Sequence, residues 1–402
     1  MRYCNLKDPT FRYKKMSLNQ QNSSASDQSQ PKYNRIVVKA GTTLLTGGTD
    51  RLDLEMMASL VGQVARLQFQ GRQMMIVSSG AVAAGRKVLE DTKQSRDVPA
   101  RQILAAVGQG RLLQAYEQLF DWHGIPVAQA LLTRRDLSDR HGYLNIRNTL
   151  LGLLAAGVIP IINENDVVAV DELSGGEVFG DNDTLSAMVA NIVDADLLVM
   201  LGEVEGLYTR DPHLDPDAKL IPKVERLNDE VGAMGGPSWS DMGRGGMATK
   251  LEAVKRATAS GVDTVIAGGR TSNAIVRLAD GESLGTQFPA ATTRLESRKR
   301  WMLSHMDESD TIVIDQGAVR ALVSHNRSLL PPGVVETLGE FRRGDIVSIV
   351  GPDRGQIACG ITNYDSDEID RIRQMQSAEI NDTLGHHYGD EVVHRDNMVI
   401  LS

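Results

Sequence analysis

Residues 35–41 read RIVVKAG. Three β-branched residues in succession favour a strand, and the glycine closing the run suits a tight turn at its end. The segments that follow decide what kind of sheet this strand joins. LEMMASLVGQVARLQFQG (54–71) spaces its apolar residues for one helix face and stops at Gly. RQMMIVSSGAVAAG (72–85) is a second strand running into small residues. A long helical pattern follows at 101–124, with Gly108 a candidate interruption, then a strand at 125–132. Helices at 143–157, 184–195 and 247–261 alternate with strands at 158–166, 196–202 and 262–269. Such alternation predicts an α/β fold, a mainly parallel sheet sandwiched by helices. Ligands in these sheets bind beyond the carboxyl ends of strands, here Lys39–Gly41, Ser78–Gly80, Asn163–Asp166 and Gly202–Glu203.

The rhythm has clear limits. Residues 1–34 are polar and rich in Ser, Gln and Asn, which predicts a disordered tail without a secretory signal. Residues 35–285 form the α/β domain. Residues 286–305 read as a linker with a basic cluster, SRKRW (297–301). From 306 to 402 the segments are short and β-like (TIVID, GDIVSIV, QIACGIT, DNMVILS), with one helical stretch, SDEIDRIRQM (366–375). Trp122, Trp239 and Trp301 read as packing residues. The longest apolar run, LLGLLAAGVIPII (150–162), is too short for a membrane span. Two cysteines, Cys4 and Cys359, offer no disulfide framework and fit a cytoplasmic protein. The net charge of −9 argues against nucleic acid as a partner of the whole chain.

No GxxxxGK[ST] loop, CxxC or HExxH pattern occurs. Glycine instead sits at strand-to-helix turns in KAGTT (39–43), SSGAVAAG (78–85) and GRGGMATK (243–250). Each loop alone is explained by a tight α/β turn. Three in one domain, two of them carrying Lys, point to phosphate binding at open backbone N–H groups. Phosphoryl transfer needs positioning and charge neutralisation, which two converging lysines supply. A carboxylate between them, Asp183 or Asp181, can orient both ammonium groups. Asp183 also fits an N-cap of the 184–195 helix, and the two roles are compatible.

VVKAGTTLLTGG (37–48), IVSSGAVAAG (76–85), IINENDVVA (161–169), GDNDTLSA (180–187), GLYTRDP (206–212) and GGMATKLEA (245–253), in that order, resemble the amino-acid kinase family. The tail domain resembles a PUA module. The resemblance implies ATP-dependent phosphorylation of the γ-carboxylate of L-glutamate to γ-glutamyl phosphate, entering proline synthesis. Carried over by position, Lys39 and Lys250 stabilise the transferring phosphoryl group and Asp183 aligns them. Ser79, Asp166 and Asn182 hold glutamate, with Asp181 and Asn163 close by. The ATP pocket is lined by Lys39, Gly41, Gly202, Glu203, Arg244, Gly245, Gly246, Met247, Ala248, Thr249 and Lys250. Mg²⁺ rides on the ATP phosphates. Proline as feedback inhibitor, a homo-oligomer and γ-glutamyl phosphate reductase as partner belong to the same expectation.

The chain departs from the family pattern in three places. Gly202-Glu203 stands where Thr-Asp is frequent, RGGMATK where TGGMSTK is common, and the lid-like segment 170–179 is longer. Kinases of the same fold acting on aspartate, N-acetylglutamate, carbamate or UMP share the Lys and Gly motifs, and INEND with GDND speaks against them. A PUA protein that binds RNA beside a vestigial kinase is the other alternative. Residues 306–402 contain Arg but no Lys and more Asp and Glu than Arg, a poor charge balance for RNA.

Overall fold

The computed structural model describes residues 32–89, 98–168, 182–235, 246–307 and 309–401. Its first part runs β1 (Arg35–Ala40), α1 (Thr42–Thr46), α2 (Leu54–Phe69), β2 (Gln73–Ser78), α3 (Ala81–Val88), α4 (Val98–Asp121) and β3 (Val127–Leu132). It continues through α5 (Arg134–Ser138), α6 (Arg140–Ala155), β4 (Ile159–Glu164), α7 (Asn182–Ile192), β5 (Leu197–Gly202) and α8 (Asp229–Met234). It ends with α9 (Met247–Ala259), β6 (Asp263–Gly268), α10 (Ala274–Ala279) and β7 (Thr286–Phe288). The strands form one sheet in the order β3-β4-β2-β1-β5-β6-β7, parallel except for β7.

The pleat of the central strands sorts side chains between two cores. Ile36, Val38 and Ala40 of β1 pack with α2, α4 and α10, whereas Val37 faces the other way, toward α6, α7 and α9. Lys39 shares the Val37 face. Its neighbours in register are Val77 of β2 and Met200 of β5. The period of two thus aims Lys39 at the helix layer formed by α7 and α9.

α4 runs unbroken through Gly108. That glycine serves helix packing: a Cβ there would lie 1.8 Å from the Ala81 carbonyl oxygen and 2.4 Å from the Gly85 nitrogen. Gly85 is equally constrained, 1.9 Å from the Leu104 oxygen. α3 and α4 therefore touch backbone to backbone. The charged segment TRRDLSDRHGYLNIRN (133–148), which reads as a solvated loop entering a helix, opens instead with the short helix α5, because Thr133 and Asp136 form a capping box.

The second part comprises α11 (Arg294–His305), β8 (Thr311–Ile314), α12 (Gln316–His325), β9 (Val334–Leu338), β10 (Ile346–Val350), β11 (Gln356–Ile361), α13 (Ser366–Ile372), α14 (Ile380–Leu384) and β12 (Met398–Ile400). Its five strands order as β12-β11-β10-β8-β9. The stretch read as a linker differs from expectation. Residues 286–288 are β7, hydrogen-bonded to β6, and α11 is a helix with its own capping box at Thr293 and Glu296. Met302 of α11 packs with Leu144 of α6 and with Ile346, Cys359, Ile361 and Val399 of the second sheet. Trp301 stacks on Tyr143 at 5.4 Å, as a packing residue should. Trp122 does not: it is 82% exposed. α12 and α14 were not legible beside the single helix expected at 366–375.

The α3–α4 contact gives a paired expectation. Gly108→Ala should destabilise the protein by about 2 kcal/mol or more through overpacking. Gly110→Ala, whose Cβ meets nothing within 4 Å, should stabilise α4 by about 0.5–1 kcal/mol. Urea unfolding of both variants checks the contrast, and equal effects would contradict the packing geometry.

Candidate active site

Three chain segments far apart in sequence meet at the carboxyl edge of the sheet. β1 supplies Lys39, α9 supplies Lys250 and the first turn of α7 supplies Asp183. Lys39 Nζ lies 2.5 Å from Asp183 Oδ1, and Lys250 Nζ lies 2.9 Å from Oδ2. Asp183 is wholly buried, and its two partners are nearly so. Burial alone pushes the Asp183 carboxyl up, but Lys39 and Lys250 outweigh it and hold it well below the usual carboxylate range. Two buried ammonium groups share one carboxylate, an arrangement that suits a polyanionic ligand.

α7 begins at Asn182, so Asp183 is inside the first turn rather than the N-cap. Its side chain turns to the lysines. Thr249 Oγ1 stands 3.2 Å from Asp183 Oδ2 and 2.8 Å from the Gly246 carbonyl oxygen, and its one proton serves one of them at a time. Gly246 caps α9 without a side chain, leaving the first N–H groups of Met247, Ala248 and Thr249 facing outward from the helix. Gly41 and Gly202 flank the lysines: a Cβ on Gly41 would lie 3.4 Å from Lys39 Nζ, and one on Gly202 3.6 Å from Lys250 Cε. Side chains at either position would grow over the ammonium groups. These positions fit a nucleotide phosphate chain. Glu203 lies in the turn after β5 and makes no hydrogen bond or ion pair among the described residues. Arg244 and Gly245 lie outside the described residues.

The residues expected to hold the second substrate form a hydrogen-bonded cluster. Asn182 Nδ2 donates to the Ser78 carbonyl at 2.9 Å, Ser79 Oγ at 2.7 Å and Asn163 Oδ1 at 3.1 Å. Asn182 Oδ1 is buried and has no hydrogen-bond partner among the described residues. A buried acceptor left in this way suits a donor on a ligand. Asp166 follows β4 and makes no hydrogen bond to Asn163, Asn182 or Ser79. Burial raises its pKa, partly offset by Arg101 of α4. Asp181 and the segment 170–179 lie outside the described residues.

Three residues of the site were not singled out from sequence. Gln109 accepts from Asn163 Nδ2 at 2.7 Å, and the Tyr116 hydroxyl meets Ser78 Oγ at 2.9 Å. Burial drives Tyr116 up to about 12. With Arg101 they all come from α4, whose polar positions are invisible as a site until the helix is laid across the strand ends. Gln109, beside the close-packed Gly108, was the one available signal. A cavity of about 330 Å³ lies at the other end of α7, lined mainly by α6, α7 and α11, remote from these lysines.

Residues 34–268 match the amino acid kinase family and residues 310–384 the PUA domain. The chain belongs to the amino acid kinase family. Along nearly its whole length it is similar to proteins named glutamate 5-kinase. That of Dehalococcoides mccartyi (strain CBDB1) is 49% identical over 92% of this chain and 99% of its own. That of Herpetosiphon aurantiacus is 52% identical over 91% of this chain and 98% of its own. A solved UMP kinase from Bacillus anthracis aligns with 65% of this chain and 98% of its own at 17% identity, with a TM-score of 0.46.

The depressed Asp183 carboxyl contributes stability above its unfolded pKa, about 3.9, and loses it as pH falls through the lower folded value. Asp183→Asn strands two buried ammonium groups and should cost about 3–5 kcal/mol at pH 7. The gap in melting temperature between wild type and Asp183→Asn should shrink as pH falls below about 4. A gap that does not change with pH would show that the carboxylate charge is not what the lysines need.

Proposed function

We propose that the chain catalyses ATP-dependent phosphorylation of the γ-carboxylate of L-glutamate, yielding γ-glutamyl phosphate and ADP, the first step of proline synthesis. The observation that carries the reading is the buried Lys39–Asp183–Lys250 triad at the carboxyl edge of a parallel sheet. Relatives named glutamate 5-kinase, 49% and 52% identical over nearly the whole chain, favour glutamate as the acceptor.

A carboxylate is ionised at pH 7 and attacks without a general base. One γ-carboxylate oxygen bonds to the γ-phosphorus as the bond from that phosphorus to the β–γ bridging oxygen breaks. ADP leaves with the electron pair and no proton moves. Negative charge on the transferring group is met by Lys39 and Lys250, which Asp183 holds ready so that little reorganises during the step. Gly41, Gly202, Glu203 and residues 246–250 border the nucleotide. Mg²⁺ carried by ATP would supply further charge neutralisation at its phosphates.

On the acceptor side, the free Oδ1 of Asn182 and the carboxylate of Asp166 suit the substrate α-ammonium. Ser79 and Asn163 keep Asn182 turned to that task. Arg101 limits the cost of burying Asp166. The same reading makes the protein a cytoplasmic homo-oligomer, with proline as feedback inhibitor and a γ-glutamyl phosphate reductase taking the labile product.

Hydroxylamine traps an acyl phosphate as a hydroxamate. ATP turnover with L-glutamate should give hydroxamate above a control lacking glutamate, and activity with N-acetylglutamate but not glutamate overturns the assignment. Lys39→Ala and Lys250→Ala should each lower kcat by about 10²–10³, as removal of a transition-state charge partner does, and change the glutamate KM far less. Asp166→Ala should instead raise the glutamate KM, and an unaltered KM removes Asp166 from the ammonium site.

A further inference from the structure

α7 has the candidate catalytic carboxylate at one end and a cluster of guanidinium groups at the other. The last carbonyls of a helix lack intrahelical partners and carry its negative dipole end. Here the carbonyl of the last helical residue and those of the two residues that follow it each meet an arginine from a different element. The Ile192 carbonyl accepts from Arg147 of α6 and the Val193 carbonyl from Arg35 of β1. The Asp194 carbonyl accepts from Arg294 of α11 at 2.6 Å. Asp194 itself takes a left-handed backbone, φ 51°, and its carboxylate pairs with Arg147 at 2.7 Å and with Arg298. Asp196 receives Arg294 at 2.7 Å.

Arg147 does something its neighbours do not. Its Nε donates to Asn397 Oδ1 at 2.7 Å and its Nη2 to the Asp396 carbonyl at 2.6 Å, both just before β12 of the second sheet. Asn397 is in turn oriented by donating to Asn148 Oδ1 at 3.2 Å. Arg147 is 2% exposed and Asn397 is 1% exposed, so water offers no alternative partners. One guanidinium therefore both terminates α7 and fastens the C-terminal domain.

We propose that Arg147 and Asn397 form a positioning clamp through which docking of the C-terminal domain sets the place of Asp183, and hence of Lys39 and Lys250. The inference rests on the kinase reading of that triad. α7 has 11 residues. At 1.5 Å per residue it spans about 16 Å. It is buried along most of that length, with Asp183, Thr184, Leu185, Ser186, Ala187, Val189, Ala190 and Ile192 all inside. A close-packed helix in a core transmits a shift at one end rather than absorbing it. α9, which carries Lys250, packs along α7 within the same core, through Leu251, Ala253, Val254 and Ala257. Burial first, then repulsion from Arg147, brings Arg298 down to about 10, which shows how closely these guanidinium groups are gathered at the end of α7.

The test uses the full chain, well below its melting temperature. Asn397→Ala removes the acceptor of Arg147 Nε, and Asn397→Asp keeps an oxygen there. Amide exchange at Ser186 and Ala187, in the first turns of α7, should speed about three- to tenfold in Asn397→Ala and return toward wild type in Asn397→Asp. For glutamate-dependent ATP turnover, kcat should fall by about the same factor while the glutamate KM stays within about twofold. Faster exchange confined to residues 190–194, with kcat unchanged, makes the contact a local fastener and overturns the proposal. If Asn397→Ala does not fold, Asn148→Ala removes only the group that orients Asn397 and carries the same outcomes. A wild type with no glutamate-dependent turnover refutes the function proposed above, and the exchange at Ser186 and Ala187 then decides the clamp independently.

Discussion

A single buried carboxylate, shared by two lysines from opposite ends of the first domain, is the constraint around which this molecule is built. Asp183 could not remain ionised in a dry core without compensation, and neither Lys39 nor Lys250 could remain there as an ammonium without it. Each charge makes the other two tolerable. The arrangement is costly as a packing device, and on the proposed reading it places two ammonium groups where the substrate's negative charge develops.

The sheet makes the meeting possible. Parallel strands bring the ends of β1, β2, β4 and β5 to one edge, and the pleat gives Lys39 the face on which α7 and α9 lie. Glycine serves different purposes at different places. Gly41 and Gly202 keep space before the ammonium groups, whereas Gly85 and Gly108 let α3 and α4 touch. That second contact matters for the site as well, since α4 brings Gln109 and Tyr116 to the acceptor cluster.

Much of the fold could be read in advance because apolar periodicity is strong here. The strands around 35, 72, 158 and 196 and the helices around 54, 184 and 247 stand where their hydrophobic spacing puts them. What escaped has local causes. Gly108 resembles a helix breaker until its neighbour is known. The capping box at Thr133 hides in a polar run. α11 carries a basic cluster that looks like a tether, yet its Met302 and Trp301 are cemented between two domains. α12 is amphipathic but short, set among segments whose β character dominates.

Sequence by itself determined the residue types of the site: two lysines beside glycines, an Asn-rich acceptor motif and an aspartate beside it. Those types and their order are encoded one by one, and the chemistry they allow follows from charge. Only the tertiary structure decided that Asp183 lies inside the first turn of α7 and takes one lysine on each oxygen. It also decided that α4 closes the acceptor side and that Arg147 joins the far end of α7 to Asn397, 250 residues later. Those choices depend on pleat, helix packing and burial, which arise only when distant segments exclude water together.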